Sequence, residues 1–279
     1  MTPLTSKKYY YLVTSLPDLH FGQSYTYIDV IETMKYIFDE IDPDDYEKVK
    51  FLFLPYDHKN LINFCLQKKL IWHPLSLYKR ETLVRCLNES SSEIPSYLYE
   101  FYDDFLKGKL ETEEYKLYHT LTTRYYDFVI PKMNGVLYEW ISFTRDLNNI
   151  LVGLNSRNHG FSTDFHFVGD NNVTSKLKIT SSRDFGLQAD FPFIEHLVRL
   201  SEQKNMVEME KQIDFIRWNK IDELVTFSFF TFDKIAAFII KLLIAHRWNS
   251  LNIQVGANVI NDKISELTKK IKFSKEFNV

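Results

Sequence analysis

Residues 214–251 read DFIRWNKIDELVTFSFFTFDKIAAFIIKLLIAHRWNSL. From Phe232 to Leu251 the stretch is apolar on nearly every side. Phe232, Ile235, Ala236, Phe238, Ile239, Ile240, Leu242, Leu243 and Ile244 leave only a thin polar line through Lys234 and Lys241. A helix that is hydrophobic all round is buried in a protein core or spans a bilayer. Asp233, Lys234, Lys241 and Arg247 interrupt the uncharged run of about 18 residues that a span requires, and central charges are costly in hydrocarbon. The stretch therefore predicts a central core helix, with other segments packed around it.

The chain of 279 residues suffices for one large domain or two ordinary ones. Its hydrophobic share of 45% and charged share of 25% are those of an ordinary globular protein. A net charge of −3 offers no electrostatic case for a nucleic-acid or anionic-membrane partner. Eight Gly and eight Pro are few for this length, which predicts long elements and hence helices. The 23 Phe and 17 Tyr supply large areas for burial, and Tyr also suits contact surfaces. Cys65 and Cys86 lie in apolar, helix-like surroundings with no CxxC or Cys/His spacing, so reduced buried thiols are expected. The first 19 residues lack a full apolar run and a small-residue cleavage site, so no signal peptide is expected.

Taken in order, Tyr9–Leu16 is a short aromatic stretch before Pro17 and reads as a strand-like or extended lead-in. Ile28, Ile31, Met34, Ile37, Phe38 and Ile41 fall at helical period. Asp42-Pro43 opens a helix in the cap-then-proline order, expected to end at Pro55. Helices are predicted over Asp57–Leu70, Leu77–Asn88 and Pro95–Leu106, with Gly108 as a stop. The longest helical pattern, Glu111–Asn158, must kink or break at Pro131. Phe161–Phe191 is rich in Ser, Asp, Asn and Gly and reads as an irregular linker with a short helix near Val173–Ile179. Helices resume over Pro192–Lys204, Asn205–Phe230, Phe232–Leu251 and Val255–Ile271. The class is all-α, and only the N-terminus and Phe165–Val168 have any strand character.

One pattern repeats. Asp57, Asn60 and Leu61 are followed by Lys68, and Asp146, Asn149 and Ile150 by Arg157, each basic residue standing eight positions after the Asn. Asp and Asn three apart share a helix face, where they can position one another or cap a neighbouring helix. Ile240, Ile244 and Arg247 stand where Ile150, Leu154 and Arg157 stand, although that third copy lacks the Asp and the Asn. Copies about 90 residues apart predict three related helical units, the third degenerate. The units run over about 1–108, 109–160 and 192–279, with the irregular linker at 161–191.

The same residues carry a resemblance. DHKNLINFCLQKK and RDLNNILVGLNSRNHG resemble the helix signature of the C-type stalk component of the V-type and A-type rotary ATPases, known as the d component in the eukaryotic enzyme. YYYLVTSLPDLHFG and FIRWNKIDELVTFSFFTFDKIAAFIIKLLIAHRW are similar to a bacterial family encoded beside V-type ATPase subunits, a similarity that spans essentially the whole chain. The resemblance implies a single non-catalytic, all-helical component, a funnel of three similar bundles. It implies partners in the rotor ring and the central stalk, torque transmission for ion transport, and a peripheral place on the cytoplasmic face of the inner membrane. No cofactor or small-molecule substrate is implied. Asp57, Asn60, Lys68, Asp146, Asn149, Arg157, Arg247 and Trp248 become its structural or interaction candidates. The chain departs from the pattern in being somewhat short and in lacking the third Asp and Asn.

No phosphate-cradling GxxxxGK[ST], GxGxxG after a strand, GxSxG or HExxH occurs. His159, Asp164, His166 and Asp170 form the densest His/Asp cluster, but their spacing matches no ligand pattern, and a solvated polar turn explains them. His246, Arg247 and Trp248 read as a basic helix end that complements the C-terminal dipole. The acidic runs at Asp39–Asp45 and Glu111–Glu114 suit solvated helix N-termini, or a surface that receives a basic stalk partner. Two alternatives stay open here: a helical enzyme with its site in the 159–190 loops, and a generic helical adaptor.

Overall fold

The computed structural model describes residues 8–23, 25, 28–68, 71–159, 166–203 and 205–248, the His159 side chain excepted. Among them the chain forms twelve α-helices and no strand. They are α1 (Tyr10–Ser15), α2 (Val30–Glu40), α3 (Pro43–Val49), α4 (Leu54–Cys65), α5 (Arg80–Glu89), α6 (Ser96–Leu106), α7 (Glu114–Val129), α8 (Gly135–His159), α9 (Asn172–Ile179), α10 (Ile194–Gln203), α11 (Met206–Leu224) and α12 (232–248). Short 3-10 turns at Lys50–Leu52 and Ile130–Lys132 lead into α4 and α8. The expected helix over Val255–Ile271 lies outside the described residues.

Local chemistry accounts for several of the boundaries. The Asp29 side chain accepts the N–H groups of Ile31 and Glu32 and so starts α2. Pro43 begins α3 behind Asp42 as expected. Pro55 does not end a helix but sits in the first turn of α4, where a missing N–H costs nothing. Pro131 divides the long 111–158 pattern into α7 and α8, with Met133 and Asn134 between the 3-10 turn and Gly135. Gly135 has a φ of +55°, a left-handed conformation that a side chain would strain.

Two further expectations are corrected. Tyr9–Leu16 is not extended: it contains α1, which buries Leu12 three residues after the buried Tyr9, and Tyr9 donates its N–H to the Phe230 carbonyl at 2.6 Å. The helix expected to reach Phe230 ends at Leu224, and residues 225–231 form the turn into α12. The two places meet each other, Tyr9 and Tyr10 against Phe230, a long-range contact that local period does not display.

The core has two parts. The larger is built from α1–α7, the start of α8, the end of α11 and α12. The described part of the apolar run 232–251, residues 232–248, does form a core helix there, with Ile235, Ala236, Ile239, Ile240 and Leu242 buried, and residues 249–251 lie outside the described residues. The smaller joins the rest of α8 to α9, α10 and the start of α11 through Leu147, Ile150, Leu177, Phe185, Leu197 and Ile213. Phe143 of α8 packs against both, so this 25-residue helix ties the two cores together. At Gly153 a side chain would lie 3.0 Å from Leu177 Cδ2, which shows how closely α8 and α9 approach. No helix among the described residues is long and apolar enough to cross a membrane. Cys65 and Cys86 are both buried and free.

Candidate functional site

The two copies of the Asp/Asn pattern both grip the segment that leads to the next helix, through different bonds. On α4, Asp57 accepts the backbone N–H groups of Leu77 at 3.0 Å and Tyr78 at 3.2 Å, and Asn60 Oδ1 accepts that of His73 at 3.0 Å. On α8, Asn149 donates to the Val168 carbonyl and accepts the Val168 N–H, both at 2.9 Å. Asp146 accepts from Asn171 Nδ2 at 2.7 Å, and Asn171 is itself the N-cap of α9 in a reciprocal capping box with Thr174. In each copy the chain leaves the patterned helix, turns back along it, and is gripped just before the next helix, α5 or α9. Both Asn side chains are buried, as is Asp57, so these are internal clamps. A loop whose buried backbone groups lack each other needs such side-chain partners.

The basic members differ. Arg157 donates to the carbonyls of Thr180, Ser182 and Arg183 at 2.6–3.1 Å, and its guanidinium lies 3.5 Å above the Phe185 ring. It closes the C-terminal end of α9. Lys68 instead pairs with Glu114 at the start of α7, on the surface. Arg247 is not a free helix end facing its own dipole. It binds Asp214 and Glu210 of α11, with Nε 3.0 Å from Asp214 and Nη1 2.7 Å from Glu210. Trp248 packs against the larger core with its indole N–H unpartnered among the described residues. In the third copy the positions of Asp146 and Asn149 are taken by Ala236 and Ile239, both fully buried. Apolar packing stands where the clamp stands in the other two.

Asp214 is a residue the sequence patterns did not single out. Its side chain is only 1% exposed, and its charge is met by Arg247 and by Arg217 at 3.3 Å. Arg217 also reaches Asn148 of α8 at 3.1 Å, and Asn148 donates to the Tyr126 hydroxyl of α7 at 3.4 Å. This network faces a cavity of about 370 Å³ where the three patterned helices meet. α4 contributes Tyr56 and His58, α8 contributes Trp140 and Asn148, and α12 contributes Ile244 and Arg247. The only cue in the sequence was an acid three residues before an arginine, which is common on helices.

Burial sets the protonation of the clamp region. It pushes the Asp57 carboxyl up to about 7, against the two amide donors that pull the other way. It pushes the adjacent His58 down to about 3. His58 Nε2 shares a 2.7 Å hydrogen bond with the Tyr97 hydroxyl, so the ring edge is committed to the core rather than to the cavity that its side chain lines.

The His/Asp cluster resolves only in part. Asp164 and the His159 side chain lie outside the described residues. His166 lies 6.0 Å from His119 and 6.2 Å from Tyr115, ring centre to ring centre. Among the described residues no group of three or more His, Cys, Asp or Glu side chains converges as metal ligands would.

The fold and these contacts define an all-helical protein in which two of the three patterned helices clamp their own return loops, while all three contribute other residues to one cavity. The chain belongs to the DUF2764 family, described as a protein of unknown function, whose model matches residues 6–271. No curated protein and no solved structure matches the chain.

Proposed function

We propose that the chain is a non-catalytic coupling component of the C type in a bacterial V-type ATPase, linking the membrane rotor ring to the central stalk. The observation that carries this reading is the shared placement of the two Asp/Asn clamps, each between a patterned helix and the segment that leads to the next helix. Residues that resemble the helix signature of the C-type stalk component occupy the same mechanical position in each of two units, and a third patterned helix lines the same cavity without a clamp. Helices that grip their own return loops through buried hydrogen bonds suit a part that passes torque, because close-packed interiors transmit strain rather than absorb it. ATP chemistry would belong to other parts of the complex. The chain would be peripheral to the cytoplasmic face of the membrane through its partners.

The test is affinity purification of the tagged full chain from gently solubilised native membranes. Rotor-ring and central-stalk proteins should co-elute in fixed proportion. Their absence from the eluate would overturn the reading, and a different fixed partner would establish an adaptor for another complex.

A further inference from the structure

A cavity of about 590 Å³ lies between α8, α11 and the 189–193 turn, apart from the one where the patterned helices meet. Helical period builds two of its walls. Glu139, Phe143 and Asp146 share one face of α8, and Ile216, Lys220 and Glu223 share one face of α11. The turn adds Asp190, Phe191 and Phe193. Three of the rings meet one another: Phe143, Phe191 and Phe193 lie 5.7–6.4 Å apart, centre to centre. Phe191 is buried and the other two are half-buried, so this aromatic surface is recessed. The charge on the lining is one-sided. Glu139, Asp146, Asp190 and Glu223 are accompanied there by one cation, Lys220. Arg145 and Lys176 answer Asp146 and Asp190 from outside the lining, and Lys220 answers Glu223 at 3.1 Å. Glu139 is exposed and makes no ion pair among the described residues, so one carboxylate is left over. Lys220 also indicates what the rings accept. Its Nζ lies 5.7 Å from the centre of Phe143, within the range of a cation–π contact.

We propose that this cavity binds a small organic ammonium ion, whose charged head lies on the Phe143 and Phe193 rings beside Glu139 and takes the place over Phe143 that Lys220 holds in the free chain. The proposal does not depend on the ATPase reading above. The unpaired carboxylate sets the sign of the ligand. The rings set its chemistry, because the face of an aromatic ring is the negative end of its quadrupole and attracts a cation. The cavity sets its size. A volume of about 590 Å³ falls among sites that enclose a whole small ligand, roughly 300–1,000 Å³. The mixed lining, mainly apolar rings with a few charged groups at its edge, is also that of such sites. A broad protein face would rest on the exposed rim, at Phe215 and Glu139, and leave the recessed rings unused.

The experiment titrates the full chain with tetramethylammonium and with tert-butanol, a neutral molecule of similar shape, and reads binding by calorimetry at fixed ionic strength. Tetramethylammonium should bind about five-fold or more tighter than the alcohol. Glu139→Gln should weaken the cation about two-fold or more, and Lys220→Met, which removes the resident ammonium, should strengthen it by a similar factor. Neither substitution should move the affinity for the alcohol. Both side chains lie outside the two cores, so circular dichroism should be that of wild type. Tetramethylammonium that binds no tighter than tert-butanol, or not at all, overturns the proposal. Cation binding that Glu139→Gln and Lys220→Met both leave unchanged overturns it equally. Lysine blocked at both backbone ends is the third probe. If it binds where tetramethylammonium does not, the cavity receives a basic side chain of a protein partner, and the proposal falls.

Discussion

Asp57 and His58 are neighbours whose proton equilibria burial drives in opposite directions, and the consequence can be measured. The Asp57 carboxyl, ordinarily near 3.8, titrates at about 7 in the folded chain. Its contribution to stability is complete below the ordinary value and is lost as pH rises toward 7. The His58 imidazole, ordinarily near 6.5, titrates at about 3 when folded. Its contribution is present above the ordinary value and is lost as pH falls toward 3. Between about pH 4 and about pH 6.5 the two slopes oppose, and each is limited to about 1.4 kcal/mol per pH unit for one proton. Asp57→Asn should therefore make stability rise more steeply with pH across this window than it does in wild type. His58→Gln should make it fall. Urea unfolding at several pH values tests both, and parallel curves for all three proteins would contradict the assignment.

At the scale of elements, the clamps decide where a helix goes after its loop. Asn149 makes both of its bonds to one buried residue, Val168, so Asn149→Ala leaves a carbonyl and an N–H unsatisfied. That should cost about 2–4 kcal/mol. Arg157→Ala removes three carbonyl contacts and a ring contact but leaves groups that water can reach, so about 1–2 kcal/mol is expected. The two hold opposite ends of the segment that contains α9. The double variant should therefore destabilise α9 and α10 before the larger core, visible as faster amide exchange confined to residues 166–203. Wild-type stability in the double variant would remove the structural role given to the pair.

For the whole molecule, the bond between α12 and α11 matters most, since it closes the third patterned helix onto the second core. Arg247→Ala would leave the buried Asp214 carboxylate to Arg217 alone. The expected loss is about 2–3 kcal/mol, less than for a fully buried pair because Arg247 is partly solvated. Asp214→Ala in the same chain should recover part of it, because the uncompensated charge is then gone. A double-mutant cycle by chemical denaturation checks this, and additive losses would mean that the two residues do not act on each other.

Much of this was legible in the chain itself. The all-round apolar run 232–251 with its four charges predicted a core helix, which the described residues 232–248 form, because an all-round apolar pattern calls for burial. The repeated Asp and Asn marked the clamp helices, because two polar residues on one helix face need local partners wherever the fold places them. What those partners are was not legible. Val168 and His73 are gripped through backbone groups, which every residue carries and no sequence pattern displays. Lys68 and Arg157 occupy equivalent positions yet bind unlike targets, and α1 formed where an extended segment was expected. Asp214 became a buried charge only because Arg217 and Arg247, the latter 33 residues on, were brought to it. Helical period and polar spacing are properties of a few neighbouring residues and survive in the sequence. Which carbonyl meets which side chain, and which aromatic rings remain outside the core, depends on contacts between distant residues that only the tertiary structure decides.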